Sequence, residues 1–423
     1  MMAARQLPEV LDVQDDLFHV GQYETYRHLL RERPLAKVRF YDGRELWMVN
    51  RYEDVQFVLR DGRFSNDPTK FADLSFAVTA GVPDGMEDYF YRNMLRLDPP
   101  DHTRLRKLVS RGFTPRRIAE LRPRIKEIVD DLLCGLEEKG SSQPVDLMAE
   151  FAYRLPVAVI CELLGIPKED HDRFRDWTAI VVSNDPEVQE LKPDSYRGLM
   201  NFVLELIHER FHHPGNDLLS ALVQMRDNED RLDDAELVSM VFLLLVAGVE
   251  TTVNLIGTGA YLMLTHPEQA DFLRGKPDYM AGAVDEMLRY FAPVEITTRY
   301  VAEEVSFGGT VVPAGSLILI NLSAANRDPE RFPQADTFDV ARGDSGHLTF
   351  GSGVHFCLGA ALARLEGEIA LDGLLRRFPE LSMAVPESEL RWRRAFLRGL
   401  DELPVRTHGP ACTTDTPTGS HAQ

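Results

Sequence analysis

Residues Phe350-Gly351-Ser352-Gly353-Val354-His355-Phe356-Cys357-Leu358-Gly359 set three glycines, a histidine and a cysteine in one short loop. Gly351 and Gly353 permit backbone geometry that side chains forbid, and they let a flat ligand approach closely. An apolar run follows, with Leu358, Leu362, Leu365 and Ile369 on one face, and it predicts a helix from Leu358 to about Arg377. Cys357 then stands at a helix start, where the positive helix end and free backbone N–H groups favour thiolate over thiol. Gly359 leaves space above the sulfur. A thiolate held this way is a metal ligand or a nucleophile. A glycine-rich turn with an incidental cysteine would explain the glycines alone. It does not explain Phe-x-x-Gly-x-His-x-Cys-x-Gly read jointly ahead of an apolar helix.

Upstream, the most apolar segment of the chain predicts a helix from about Asp234 to Thr265, stopped by His266-Pro267 and started by the capping-box pair Asp233 and Glu236. Its middle is interrupted by Ala247-Gly-Val-Glu250-Thr251-Thr252. Burying an acid and two hydroxyls there is costly unless they are satisfied or needed. Hydroxyls bonding back to the preceding turn would satisfy them. A kink with a proton path would need them. Asp98-Pro-Pro-Asp-His102-Thr-Arg-Leu-Arg106 places His102 and Arg106 on one helix face, a basic pair suited to a carboxylate. Glu286-Met-Leu-Arg289 is an i, i+3 pair of the kind usually found as a solvated salt bridge, and Glu24-Thr-Tyr-Arg27 matches it equally well.

The remaining pattern is mostly helical. Val38 to Val49 reads as two short strands around an Asp-Gly turn, followed by a helix from about Glu53 to Leu59. Helices fill Pro100 to about Arg226, broken at Ser183 to Pro193, and helix returns from about Asp278 to Phe291. Ile296-Thr-Thr-Arg299-Tyr-Val-Ala302 opens a set of short strands. Asn66 to Arg96 has no clean period, which marks a functional or mobile segment. The length of 423 residues favours two or three domains. No linker or composition break divides the chain, however, so the expectation is a single domain over residues 1–406, mainly helical with a minor β-sheet region. Residues 407–423 read as a tail with little to bury.

The formal net charge of −20 argues against nucleic acid as a partner. Cys134, Cys161, Cys357 and Cys412 show no disulfide or zinc spacing, which is cytosolic usage. Cys134 and Cys161 read as small core residues. No signal peptide is read at the N-terminus. The apolar run from Met240 to Val249 falls short of the about 20 residues a membrane span needs. A cytoplasmic protein is expected.

Taken in order along the chain, these stretches resemble the cytochromes P450, and the resemblance runs from the strands near Val38 to the chain near Arg406. It implies the cytochrome P450 fold, haem b (iron protoporphyrin IX) as cofactor, and Cys357 as the iron ligand. It implies that His102, Arg106, Arg299 and His355 hold the two haem propionates. Thr251 matches the hydroxyl that hydrogen-bonds the oxygen being activated, and Glu250 the acid of its proton path. Glu286, Arg289 and Arg331 match a buried charge network behind the haem. Val294, Glu295 and Leu397 match positions that line the substrate pocket. The implied activity is oxygenation, chiefly hydroxylation, of an apolar small molecule with O2 and two electrons. The overall look is similar to soluble actinobacterial members that tailor macrolides, other polyketides or terpenoids.

No GxGxxG follows a strand and opens a helix, so electrons are expected from a separate ferredoxin served by an NAD(P)H-dependent ferredoxin reductase. Arg104, Arg106, Lys107, Arg111, Arg116 and Arg117 form a basic cluster for such a partner, with Arg104, Lys107 and Arg111 the better docking candidates. A basic stripe balanced by acids elsewhere on the fold competes with that reading. Two functional alternatives remain: a peroxide-driven haem-thiolate enzyme, and a haem carrier or sensor, which would have no reason to bury an acid and two threonines.

Overall fold

A computed structural model describes residues 7–71, 82–140, 143–182, 186–224, 232–393 and 397–407. The architecture is mainly helical, with a small sheet to one side. The longest helix, Asp234–Thr265, begins as its sequence predicts. The Glu236 N–H donates to Asp233 Oδ1 (2.8 Å) and the Asp233 N–H donates to Glu236 Oε2 (3.1 Å). It is long and apolar enough to cross a membrane, yet 72% of its most apolar window is buried inside the protein. Its length serves a core instead. Helices Arg154–Leu164, Lys192–His212, Met280–Tyr290 and Ala360–Arg377 all pack on it, and their apolar residues join in one cluster. One stripe of the helix is less covered, with Leu243 and Thr251 half-buried and Ala247 exposed. The spacing of four puts these residues above one another on one face.

The sheet follows from the hairpin. Leu35–Arg39 pairs antiparallel with Glu45–Val49 across a turn in which Gly43 takes φ +82°. Glu45–Val49 runs parallel to Leu317–Asn321, which pairs antiparallel with Ile296–Val301 and so places Arg299 opposite Ile318. Val10–Asp12 and Phe64–Ser65 close the two edges. Helix Tyr52–Arg60 follows the hairpin as expected.

Several boundaries differ from the sequence reading. The helix after the cysteine begins at Ala360 rather than Leu358, because Cys357, Leu358 and Gly359 remain in the loop. The helix expected from Asp278 starts as a 3-10 turn, Pro277–Tyr279, and becomes α-helical over Met280–Tyr290. The Ser183 to Pro193 break is shorter than expected: Pro186–Leu191 is a 3-10 turn and Lys192 already begins a helix, while 183–185 lie outside the described residues. The irregular Asn66 to Arg96 segment contains the turn Pro68–Phe71 and the helix Glu87–Tyr91, with 72–81 outside the described residues. The tail beyond Thr407 also lies outside them.

Candidate active site

The cysteine loop owes its path to its glycines. Gly351 and Gly353 have φ of +73° and +72°, a region that favours glycine. A Cβ on Gly353 would stand 2.7 Å from the Leu59 carbonyl oxygen, so helix Tyr52–Arg60 lies directly against the loop. The Cys357 N–H donates to the Phe350 carbonyl (2.8 Å) and closes the loop. Arg60 Nε donates to Ser352 Oγ (2.8 Å), and the Arg364 guanidinium lies 4.5 Å from the Phe350 ring centre. A Cβ on Gly359 would meet nothing within 4 Å, the open space that the sequence suggested.

Cys357 is accessible, and the N–H groups of Gly359 and Ala360 do reach its sulfur. Even so, burial pushes its thiol up, against those two N–H groups and the positive charges of Arg106 and Arg364. The two N–H groups act in the expected direction, favouring thiolate. Desolvation acts against them and sets the net direction.

Beside this loop the fold collects cations. His102, on helix Asp101–Val109, is 2% exposed, and neither ring nitrogen has a hydrogen-bond partner. Its ring centre lies 4.4 Å from that of His355. Arg299, 6% exposed, donates from Nη1 to its neighbour's carbonyl, Thr298 O (2.7 Å). Burial pushes Arg299 down to about 10, helped by Arg96 and opposed by Asp98. Burial pushes His355 down to about 3, helped by Arg299, His102 and Arg106 and opposed by Asp98. His102 and Arg106 are lowered by burial as well. Asp98 is already engaged: it accepts from the Asn66 N–H (2.9 Å), from Lys70 Nζ (2.8 Å) and from the Ser65 hydroxyl. The buried Arg299, the half-buried Arg106 and two imidazoles, one without a partner, stand beside Cys357 and suit a flat group bearing two carboxylates. These residues fit haem b. Arg96, whose charge also acts on Arg299, was not singled out in the sequence, where it stands as a lone arginine ahead of Pro99-Pro100.

On the long helix, Thr251 Oγ1 donates to Ala247 O (2.9 Å) and Thr252 Oγ1 to Gly248 O (3.3 Å), so both hydroxyls bond back to the preceding turn. Thr251 and Ala247 share the less covered stripe, whereas Glu250 is buried elsewhere. Glu250 Oε2 accepts from Arg393 Nη1 (2.7 Å) and from the Tyr153 hydroxyl (3.4 Å), which Arg393 also contacts. Glu250 Oε1 is buried without a partner. The acid and the hydroxyl, adjacent in sequence, thus have separate surroundings.

Behind the site, Arg289 and Glu286 form the expected buried pair, but the third member is not Arg331. Arg342 Nε donates to Glu286 Oε2 (3.0 Å), and Glu286 Oε1 also accepts from the Asp339 N–H (3.0 Å). With those oxygens taken, Arg331 turns to Asp344 (2.7 Å). Arg27 of the earlier look-alike motif meets Asp336 at the surface (3.4 Å).

Two further expectations change. Glu295 does not line a pocket. It is buried against the N-terminal helix Gln22–Glu32, accepts from the Tyr23 hydroxyl (3.4 Å) and Ser323 Oγ (3.5 Å), and is pushed up to about 7 by burial. Its neighbour Val294 pairs with Leu397 across an isolated bridge, because adjacent extended residues face opposite ways. Arg104 is no longer a docking candidate: it grips Glu236 (3.1 Å from Nη1) at the cap of the long helix. Arg116 is likewise paired, with Glu120 (2.9 Å).

Comparison with known proteins agrees with this geometry. The family model described as cytochrome P450 matches residues 173–276 and 273–391. The chain is 46% identical over 405 residues to 6-deoxyerythronolide B hydroxylase of Saccharopolyspora erythraea, covering 95% of this chain and 99% of that one. It is 45% identical over 407 residues to the cytochrome P450 monooxygenase PikC of Streptomyces venezuelae, covering 94% of each. The solved structure of PksS, the cytochrome P450 of the Bacillus subtilis bacillaene polyketide synthase, superposes with a TM-score of 0.85 at 38% identity, over 93% of this chain and 99% of that one. A loop shaped around Cys357, a set of basic side chains suited to two carboxylates, and relatives matched end to end lead to one conclusion: this chain belongs to the cytochrome P450 family and is a haem b monooxygenase.

Proposed function

We propose that this chain, as one domain through residue 406, hydroxylates a bulky apolar natural product of the macrolide or polyketide class in the cytoplasm. The observation that carries the assignment of residues is the cluster of buried His102 and Arg299 with half-buried Arg106 and His355 beside Cys357. The His102 ring is without a hydrogen-bond partner, Arg299 is buried, and basic groups gathered this way suit a dianion. Cys357 would ligate the iron through Sγ, and the four basic residues would hold the propionates. Haem ligated by a thiolate supplies O2 binding and O–O cleavage. The protein has to supply protons and exclude water. Thr251, on the less covered stripe of the long helix, would hold a proton at Oγ1 near the reacting oxygen. Glu250, held by Arg393 and Tyr153, would reload it.

The substrate class rests on the relatives, one of which is a 6-deoxyerythronolide B hydroxylase and another a polyketide-synthase cytochrome P450. Two electrons would come from NAD(P)H through a reductase and a ferredoxin. Lys107 and Arg111 would draw the acidic partner in, and complementary charge of this kind chiefly raises the association rate.

A panel of macrolactones and linear polyketides, titrated into the haem-loaded protein, tests the reading through the shift of the Soret band. A ligand that shifts the band should then gain one oxygen atom from labelled O2 when ferredoxin, reductase and NADPH are supplied. Turnover with hydrogen peroxide alone, and none with the electron-transfer chain, would overturn the proposal.

A further inference from the structure

His208-Glu209-Arg210-Phe211-His212 closes the helix Lys192–His212 on the side chains of two exposed histidines one turn apart. Side chains at i and i+4 share a helix face, and the two ring centres lie 4.6 Å apart at 64°. The Phe211 ring stands edge-on to His212 (5.3 Å, 90°) and orients it. The cation nearest in sequence is directed away. Arg210 donates from Nε to Asp217 Oδ2 (2.9 Å) and from Nη2 to the Gly165 carbonyl, so its charge is spent against the next segment. Exposed Glu205 and Glu209 flank the pair with negative charge, and the C-terminal end of the helix adds its own partial negative charge.

We propose that His208 and His212 form a binding site for a borderline divalent cation, zinc above all, separate from the haem site. Imidazole nitrogens suit Zn2+, and a four-coordinate ion needs two further ligands, which water would supply. Histidines at this spacing with an intervening glutamate are the helical half of zinc peptidase sites. Peptidase chemistry is not proposed, because among the described residues no group of three metal-ligating side chains is assembled. Asp217, the nearest acid downstream, is occupied by Arg210 and by the Ser220 N–H (2.7 Å). Chelation across the last turn would fasten the end of a helix whose Tyr196 packs on Phe242 of the long helix (4.9 Å between ring centres).

The test uses the haem-loaded, tag-free full chain and Zn2+ alone, titrated in competition with a chelating dye. Expected is a strongest site of one Zn2+ per chain. Either His208→Gln or His212→Gln should weaken it at least as much as losing an outer-shell partner does, about tenfold or more. His213→Gln, the exposed neighbour, should leave it unchanged. Zinc should also raise the melting temperature of the wild type and not of the His208→Gln/His212→Gln double variant, since a ligand of the folded state stabilises it by mass action. Both substitutions are on exposed side chains, so the carbonyl spectrum should confirm an intact protein. No zinc site in the wild type, equal binding by the double variant, or equal loss in His213→Gln would each overturn the proposal.

Discussion

Two buried clusters of basic residues flank the same loop and are built on opposite terms. Arg289 is 0% exposed, and all five N–H donors of its guanidinium are used. Nε and Nη2 bind Glu286 (2.7 and 2.8 Å), while the others reach the carbonyls of Asn326, Ala335 and Thr337. Arg299, nearly as buried, reaches the carbonyl of Thr298, and its neighbours His102, His355 and Arg96 are basic too. A satisfied network needs nothing more and holds the fold. Basic side chains gathered without a carboxylate in contact would gain most from a ligand of opposite charge, as the proposed haem site requires. A carboxylate in contact, Glu286 for Arg289 and none among the described residues for Arg299, separates the two.

The largest effect should come from the residue at the centre of the unsatisfied side. Cys357→Ser should abolish both oxygenation and the red-shifted carbonyl Soret band of the reduced protein. Retention of either would remove the haem from this loop and break the comparison.

Next, Arg289→Leu leaves the Glu286 carboxylate buried with Arg342 as its remaining cation, and breaking a buried pair costs about 3–5 kcal/mol. The urea midpoint of the haem-free protein should fall accordingly, and Arg289→Lys, which keeps the charge but not the planar fork, should fall less. If the leucine variant is too unstable to purify, the lysine variant still reports the direction.

Arg299→Leu should behave in the opposite sense. Removing a buried cation that burial already disfavours should raise the unfolding midpoint of the haem-free chain, while haem should be lost faster to an acceptor protein. Parallel loss of both properties would show that Arg299 is structural, like Arg289.

A smaller, kinetic effect is expected on the long helix. Thr251→Ala should keep the carbonyl band and NAD(P)H consumption but divert turnover from product to hydrogen peroxide. Glu250→Gln should slow oxygen activation through impaired proton supply. Unchanged coupling in both would place the proton path elsewhere.

The smallest effect belongs to Glu366, a buried carboxylic acid whose Oε2 has no partner and which burial pushes up to about 8. Its folded value lies above its unfolded one, near 4.5. Between those values the native chain holds a proton that the unfolded chain has released, so stability falls as pH rises from about 4.5 to about 8. Unfolding measured at several pH values should show a shallower fall in Glu366→Gln. Identical slopes would mean that the group is not isolated in solution.

The parts legible in the sequence are those encoded by neighbours. The Asp233–Glu236 capping box, the hairpin at Asp42-Gly43, the loop glycines and the i, i+3 reach of Glu286 to Arg289 all lie within a few residues of one another. The parts that were misread depend on distance along the chain. Arg393 meets Glu250 from 143 positions away, and no local pattern announces that pairing. Arg331 and Arg342 stand in the same segment with the same side chain, and which of them reaches Glu286 depends on how the turns after Asp328 direct each guanidinium. Arg96 carried almost no signal, because a single arginine before a proline pair is ordinary until Arg299 and His355 are folded against it.

By itself, then, the sequence determined the helical architecture, the path of the cysteine loop and the family to which the chain belongs. Glycine conformation, helix caps and apolar periodicity are local properties written in consecutive residues. Only the tertiary structure decided which charges are paired and which basic groups stand without a carboxylate in contact. Each of those depends on desolvation and on Coulombic partners contributed by distant segments, and the energy of a buried charge is set by everything packed around it rather than by the residues beside it in the chain.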